Sequence, residues 1–317
     1  MSYDIQSRPG VSYAAGFFIL FGLLGAGLII GSLAGAGVWV AMTGKGFMTM
    51  EKEMLNPDNV QAVRVLQLVS TFFIFFLPAY FASMILHKKP LRFMGFNPYF
   101  NWKVLGLAIA IMVAALPVVG ALSEINELIP IPASLESVFK ELEDTYEKQV
   151  KVLSRIDGFG DYIISLLVMA LGPAIFEEAF FRGGMQNILQ KWTRNPWLAI
   201  GLTSLVFSAI HFSYYGFIPR LALGVVLGLL FHYSGSLWLS IAGHFFNNAL
   251  VVTQIYILTL QGKSIDQAME ETGPIWVGLL TLLIMAGLFR YYRYYSEQSR
   301  RALMPAEDLA LEEKWIA

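Results

Sequence analysis

Between Ala14 and Met42 the chain carries no charged side chain. A hydrocarbon core about 30 Å thick is crossed by roughly 20 mostly apolar helical residues. The run is too long for the apolar core of a cleaved signal peptide, and only Arg8 precedes it as a basic residue. It therefore reads as a first spanning helix. Inside lipid every backbone polar group must be paired within its own segment, so such runs specify helices. Comparable runs follow near 62–86, 103–123, 160–188, 195–212, 217–234, 236–260 and 274–293. Together they predict an all-α, polytopic membrane helix bundle of about eight transmembrane helices, one domain over 1–317. Charged residues make up only 14% of the chain, against about 25% in soluble domains. A net charge of -1 gives no footprint for nucleic acid. There is no cysteine, which excludes disulfides, thiol nucleophiles and thiolate metal sites.

Within the first helix, Gly27, Gly31 and Gly35 recur every fourth residue and form a surface for close helix packing. Between the third and fourth helices, Leu135, Val138, Phe139, Leu142, Tyr146, Val150 and Leu153 recur at helical spacing among charges. They predict an amphipathic helix lying on the membrane surface or over the bundle, with Ser134 as its N-cap. Lys88, Lys89, Arg92 and Lys103, then Lys191 and Arg194, then Arg290, Arg293, Arg300 and Arg301 mark the loops of one side. Positive loops stay inside, so both termini are expected in the cytosol, with the polar segment 296–317 as a cytosolic tail. The expected location is the plasma (inner) membrane.

Ionisable side chains within apolar helices carry the functional signal, because each costs about 2.5–3.5 kcal/mol at the bilayer centre on insertion scales. Such a residue needs a partner, a wet cavity or a task. Glu178 and Arg182 stand four apart on one face, where they can pair. Glu177, about 100° round the helix, is left free to face elsewhere. Gly172 and Pro173 just upstream weaken the helix. The next run ends in Phe207-Ser-Ala-Ile-His211, and the seventh contains His244-Phe-Phe-Asn247-Asn248. His244 and Asn248 share a face. A carboxylate and an imidazole on one water can remove its proton as it attacks a carbonyl. A second imidazole with an amide N–H can donate to the oxyanion that forms. Alternatively, Glu177, His211 and His244 are a ligand set for Zn2+ with an open position for water. Both mechanisms, metal-dependent and metal-free, remain open on the residues. The HExxH signature of ordinary zincins is absent. His87 and His232 read as structural or interfacial.

The ordered set Glu177-Glu178-x-x-x-Arg182, Phe207-x-x-x-His211 and His244-x-x-x-Asn248 resembles the three motifs of the CAAX-protease and bacteriocin-processing (CPBP, or Abi) family. The resemblance covers residues 158–261, about a third of the chain, with the motifs about 33 residues apart. It implies an intramembrane endopeptidase with Glu177 as the catalytic carboxylate and His211 as its partner on the water. By the same resemblance His244 and Asn248 are the oxyanion or ligand pair, and Glu178, Arg182 and Phe207 are supporting residues. The substrate class it implies is a membrane-associated peptide or a lipidated, CAAX-like C-terminus, so the expected partners are the bilayer and such a substrate. Two other functions fit a bundle of this kind. One is a proteolytically inactive scaffold of the same fold, acting as a regulator or immunity protein. The other is an ion-coupled transporter with Glu and His as a relay, although the chain shows no internal repeat.

Overall fold

The computed structural model describes residues 10–263 and 274–305; Arg8 and the end of the expected tail lie outside them. Among the described residues there are helices and no β-strand. Among the described residues the bundle is built from α1 (Tyr13–Thr43), α2 (Pro57–Leu86), α3 (Trp102–Glu127), then after an intervening surface helix α4 (Glu136–Leu153), α5 (Phe159–Thr193), α6 (Pro196–Ala209), α7 (Phe217–Ser234), α8 (Leu237–Leu260) and α9 (Ile275–Leu303). Seven of them are long and apolar enough to cross a membrane, and α6 is the exception. Its 14 residues rise about 21 Å, short of the roughly 30 Å core. The expected fifth span of 195–212 is therefore corrected: its last turn is lost, and His211 sits in the α6–α7 turn rather than on the helix.

Apolar side chains cover the outside of the bundle as well as its inside. Ile29, Leu33, Leu279 and Leu283 are all more than 60% exposed on the outer helices α1 and α9. Lipid accepts such a surface, whereas water penalises it over a patch this large. The core is centred on α5, which packs against α2, α6 and α8. Phe180, Phe181, Met185 and Ile188 of α5 are buried with Ala79 and Ala82 of α2, Phe207 of α6 and Ile241 of α8. A second core joins α3, α7 and α9.

The glycine stripe of α1 is a packing surface, as its spacing implies. Gly27, Gly31 and Gly35 are buried. A Cβ at Gly31 would stand 2.9 Å from the Ser70 carbonyl oxygen and 3.0 Å from a side-chain carbon of Ile74. The close approach lets the Ser70 hydroxyl donate to the Gly31 carbonyl at 3.0 Å. Gly31→Leu is thus expected to lower the thermal midpoint of the purified protein, by about 1–3 kcal/mol of overpacking. Gly25, with nothing within 4 Å of its added Cβ, should accept alanine without loss.

Helix α4 confirms the amphipathic reading, with one correction at its start. Leu135, not Ser134, occupies the N-cap position, and it makes no side-chain cap bond. Leucine is a poor cap, and the Leu135 N–H closes only a local turn on the Pro132 carbonyl. The far end is fixed by Arg64 of α2, which is fully buried. Its Nη2 donates to the carbonyls of Leu153 at 3.1 Å and Arg155 at 2.6 Å. Its Nη1 lies 3.5 Å from Asp161, at the root of α5.

Hydrogen bonds tie the basic loop after α2 to its neighbours on one face. The Leu237 N–H donates to the Gly95 carbonyl, the Asn97 side-chain amide to the Gly235 carbonyl, and the Asn187 side-chain amide to the Phe93 carbonyl. Tyr13 stacks on Phe93, and Lys103 lies over the Tyr295 ring, so the described start of α1 and the end of α9 share that face. Helix α9 itself runs ten residues past the expected boundary at 293, to Leu303. Tyr292, Ser296 and Ser299 are buried against neighbouring helices, which explains why a polar sequence there stays helical.

Candidate active site

Helix α5 is not a uniform α-helix. Wide, π-type turns at Leu166–Leu171 and Ala179–Gln186 flank the α-helical Gly172–Glu178. Such turns free backbone groups and re-aim side chains, and they concentrate at functional sites. They bracket the two glutamates.

Glu178 is the centre of a buried charge cluster. It is fully buried, as is Arg182. Arg182 Nη1 donates to Glu178 Oε1 at 2.6 Å, and its Nη2 donates to the Gly224 carbonyl of α7 at 3.0 Å. His244 Nδ1 lies 2.9 Å from the same Oε1, while the Ser240 hydroxyl donates to Oε2. A carboxylate only accepts, so Nδ1 of His244 carries the proton and Nε2 faces the remaining space. The sequence pairing of Glu178 with Arg182 is present in the structure. What spacing did not reveal is that Glu178 also orients His244, as the carboxylate partner of a catalytic histidine does. Ser240, four residues before His244, was legible as a same-face neighbour but carried no charge to mark it.

Phe207 joins the three motifs. Its ring lies 4.8 Å from the Arg182 guanidinium, 5.1 Å from the His211 ring and 6.0 Å from the His244 ring. The short α6 ends at Ala209, so His211 lies in the following turn with its ring against Phe207. His211 Nδ1 lies 2.8 Å from the Phe207 carbonyl, so Nδ1–H donates and Nε2 is the free atom. In its turn outside the spanning helices, burial and then the Arg220 guanidinium push the His211 imidazole down to about 4. It is neutral near pH 7, with a lone pair on Nε2.

Glu177 is half-buried and makes no hydrogen bond or ion pair among the described residues. Its carboxylate is close enough to His244 and Arg182 to feel their charge, and His211 feels His244 in the same way. His244 is thus the group that both Glu177 and His211 sense. Asn248 sits one turn beyond His244 and reaches across to α5, its amide donating to the Met169 carbonyl at 3.5 Å. Its side-chain oxygen accepts from Asn247 at 3.3 Å. Zinc would draw on Glu177, His211 and His244. Among the described residues, however, no three His, Asp or Glu side chains form a metal-holding group. The Nδ1 atoms of both histidines are bonded to the Phe207 carbonyl and the Glu178 carboxylate, which leaves Nε2 of each ring as the atom that would meet a metal or a water.

The fold and site define a polytopic helical membrane protein with a buried Glu–Arg–His cluster beside an uncommitted glutamate. A family model described as type II CAAX prenyl endopeptidase, Rce1-like, matches residues 159–250, the segment from α5 to α8 that carries all seven motif residues. This is consistent with the CPBP family that the motifs resemble. An uncharacterized protein of Bacillus subtilis (strain 168), YpbD, is 29% identical over 110 residues. The match covers 33% of this chain and 53% of that protein, so the chain spans about half the length of the curated relative. No solved structure matches.

Proposed function

We propose that this protein is an intramembrane endopeptidase in which Glu177 activates the attacking water. The observation that supports it most directly is the division of labour between adjacent glutamates. Glu178 is sealed into the Arg182–Ser240–His244 cluster, whereas Glu177 is partly exposed and has no partner to satisfy. In this reading Glu177 takes a proton from water as its oxygen adds to the scissile carbonyl. His211 Nε2 accepts the other water proton in a hydrogen bond and aims the nucleophile. His244, held through Nδ1 by Glu178, donates from protonated Nε2 to the developing oxyanion, with the Asn248 amide beside it. Glu177 then passes its proton to the leaving amine. No step needs a metal ion. The substrate is a membrane-associated peptide, with a lipidated CAAX-like C-terminus as the finer assignment. By the positive-inside rule, the basic loops support a plasma-membrane protein with both chain ends in the cytosol.

The test is a cleavage assay on detergent-purified protein with a membrane peptide, run with and without chelator, beside elemental analysis. Turnover that survives chelation in metal-free protein is expected. Bound zinc with chelator-sensitive turnover would replace the glutamate mechanism with the Glu177–His211–His244 metal site. Absence of cleavage across CAAX-like and unmodified peptides would remove the peptidase reading.

A further inference from the structure

The turn that carries His211 holds an unfavourable backbone. Phe212, immediately after the histidine, has φ of 50°, in the left-handed region that a bulky side chain rarely adopts. Its ring is 66% exposed, so side-chain packing does not explain the conformation. An observed outlier of this kind beside a functional group must be imposed by the surroundings.

Those surroundings are two polar side chains from elements distant in sequence. Glu143 of α4 receives the Ser213 hydroxyl on Oε1 at 3.0 Å and the Tyr214 backbone N–H on Oε2 at 3.1 Å. Ser213 in turn accepts the Gly216 N–H at 3.1 Å, closing the turn on itself. From the other side, Asn126 at the end of α3 donates to the Tyr214 carbonyl at 2.9 Å and accepts the Ile218 N–H at 3.0 Å. Phe139 of α4 packs on the Tyr214 ring, with centroids 5.1 Å apart, and the Arg220 guanidinium lies 4.9 Å from the Tyr146 ring. Arg64 pins the C-terminal end of α4, which fixes the register at which Glu143 meets the turn.

We infer that Glu143 is a positioning residue: through Ser213 and Tyr214 it enforces the strained turn that holds His211 against the Phe207 ring, which also meets His244. The surface helix α4 is then a strap across the site rather than a passive interfacial helix. The catalytic consequence rests on the peptidase reading above; the mechanical one does not.

Two measurements separate them. Hydrogen exchange in the 210–218 segment of the purified full chain reads the turn directly, and peptide cleavage reads its consequence. Glu143→Ala is expected to speed exchange at the Tyr214 amide and to lower kcat by ~10–100-fold, the range seen for residues that orient catalytic groups, with a smaller change in KM. Glu143→Gln, which keeps one acceptor oxygen, should fall between. Phe212→Gly, placed in the Glu143→Ala protein, should restore most of the lost turnover, because glycine adopts the left-handed conformation without outside enforcement. A merely structural role for Glu143 would not be relieved at that position. Unchanged exchange in Glu143→Ala, or a turnover loss that Phe212→Gly leaves in place, overturns the proposal. If the wild-type protein cleaves nothing, the exchange arm still decides the role of Glu143, and only the peptidase reading is lost.

Discussion

Glu177→Gln is expected to lower peptide cleavage by about 10²–10⁴-fold, the usual contribution of a general base, while leaving the folded protein as stable as before. The stability half follows from what the side chain lacks. Among the described residues Glu177 makes no hydrogen bond and no ion pair, so an amide of the same shape breaks no direct contact of the fold. The activity half follows from basicity, because an amide cannot take the water proton. Cleavage rate and thermal midpoint, measured on the same detergent-purified sample, decide both halves together. Full activity in the variant would refute the assignment of Glu177. So would collapse of the fold, since that would make it a structural residue.

Glu178→Gln should show the opposite pattern. Arg182 is fully buried and Glu178 is the carboxylate that pairs with it. Removing one partner of a buried pair leaves an uncompensated charge, and the cost is about 3–5 kcal/mol. The thermal midpoint should fall steeply. Residual cleavage, assayed well below that midpoint, should exceed that of Glu177→Gln, since the Gln oxygen can still accept His244 Nδ1–H. Replacing both partners by leucine should recover part of the stability, as an apolar pair leaves no charge stranded. A Glu178→Gln protein as stable as wild type but unable to cleave would reverse the division between the two glutamates.

These expectations differ although the residues are adjacent and identical, and the local sequence anticipates the difference. Four-residue spacing set Glu178 against Arg182, and the 100° step turned Glu177 away. The same spacing rule grouped His244 with Asn248, yet the two reach different points on α5, the Glu178 carboxylate and the Met169 carbonyl. Periodicity names a face but says nothing of the neighbour it meets. Similarly, the Glu143 carboxylate reads in sequence as one charge among nine acidic residues between Glu124 and Asp161. Its bonds span 70 and 71 residues. No local pattern carries a contact at that range.

The depth of His211 shows the same limit. A uniform-span template carries the fifth helix to residue 212 and so displaces His211 from its partners. The chain ends that helix at Ala209 and turns through the left-handed Phe212. Glu143 and Asn126 make the turn tolerable, and both come from elsewhere.

The sequence alone determined that the chain is a membrane helix bundle, because unbroken apolar runs admit no other pairing of backbone groups in lipid. It also singled out the side chains proposed to carry chemistry, because an ionisable group in oil is too costly to be incidental. Only the tertiary structure decided that the sealed glutamate orients His244, that His211 lies in a turn beyond its helix, and that a surface helix grips that turn. Those outcomes depend on groups brought together across many residues, and on helix irregularities set by packing rather than by propensity.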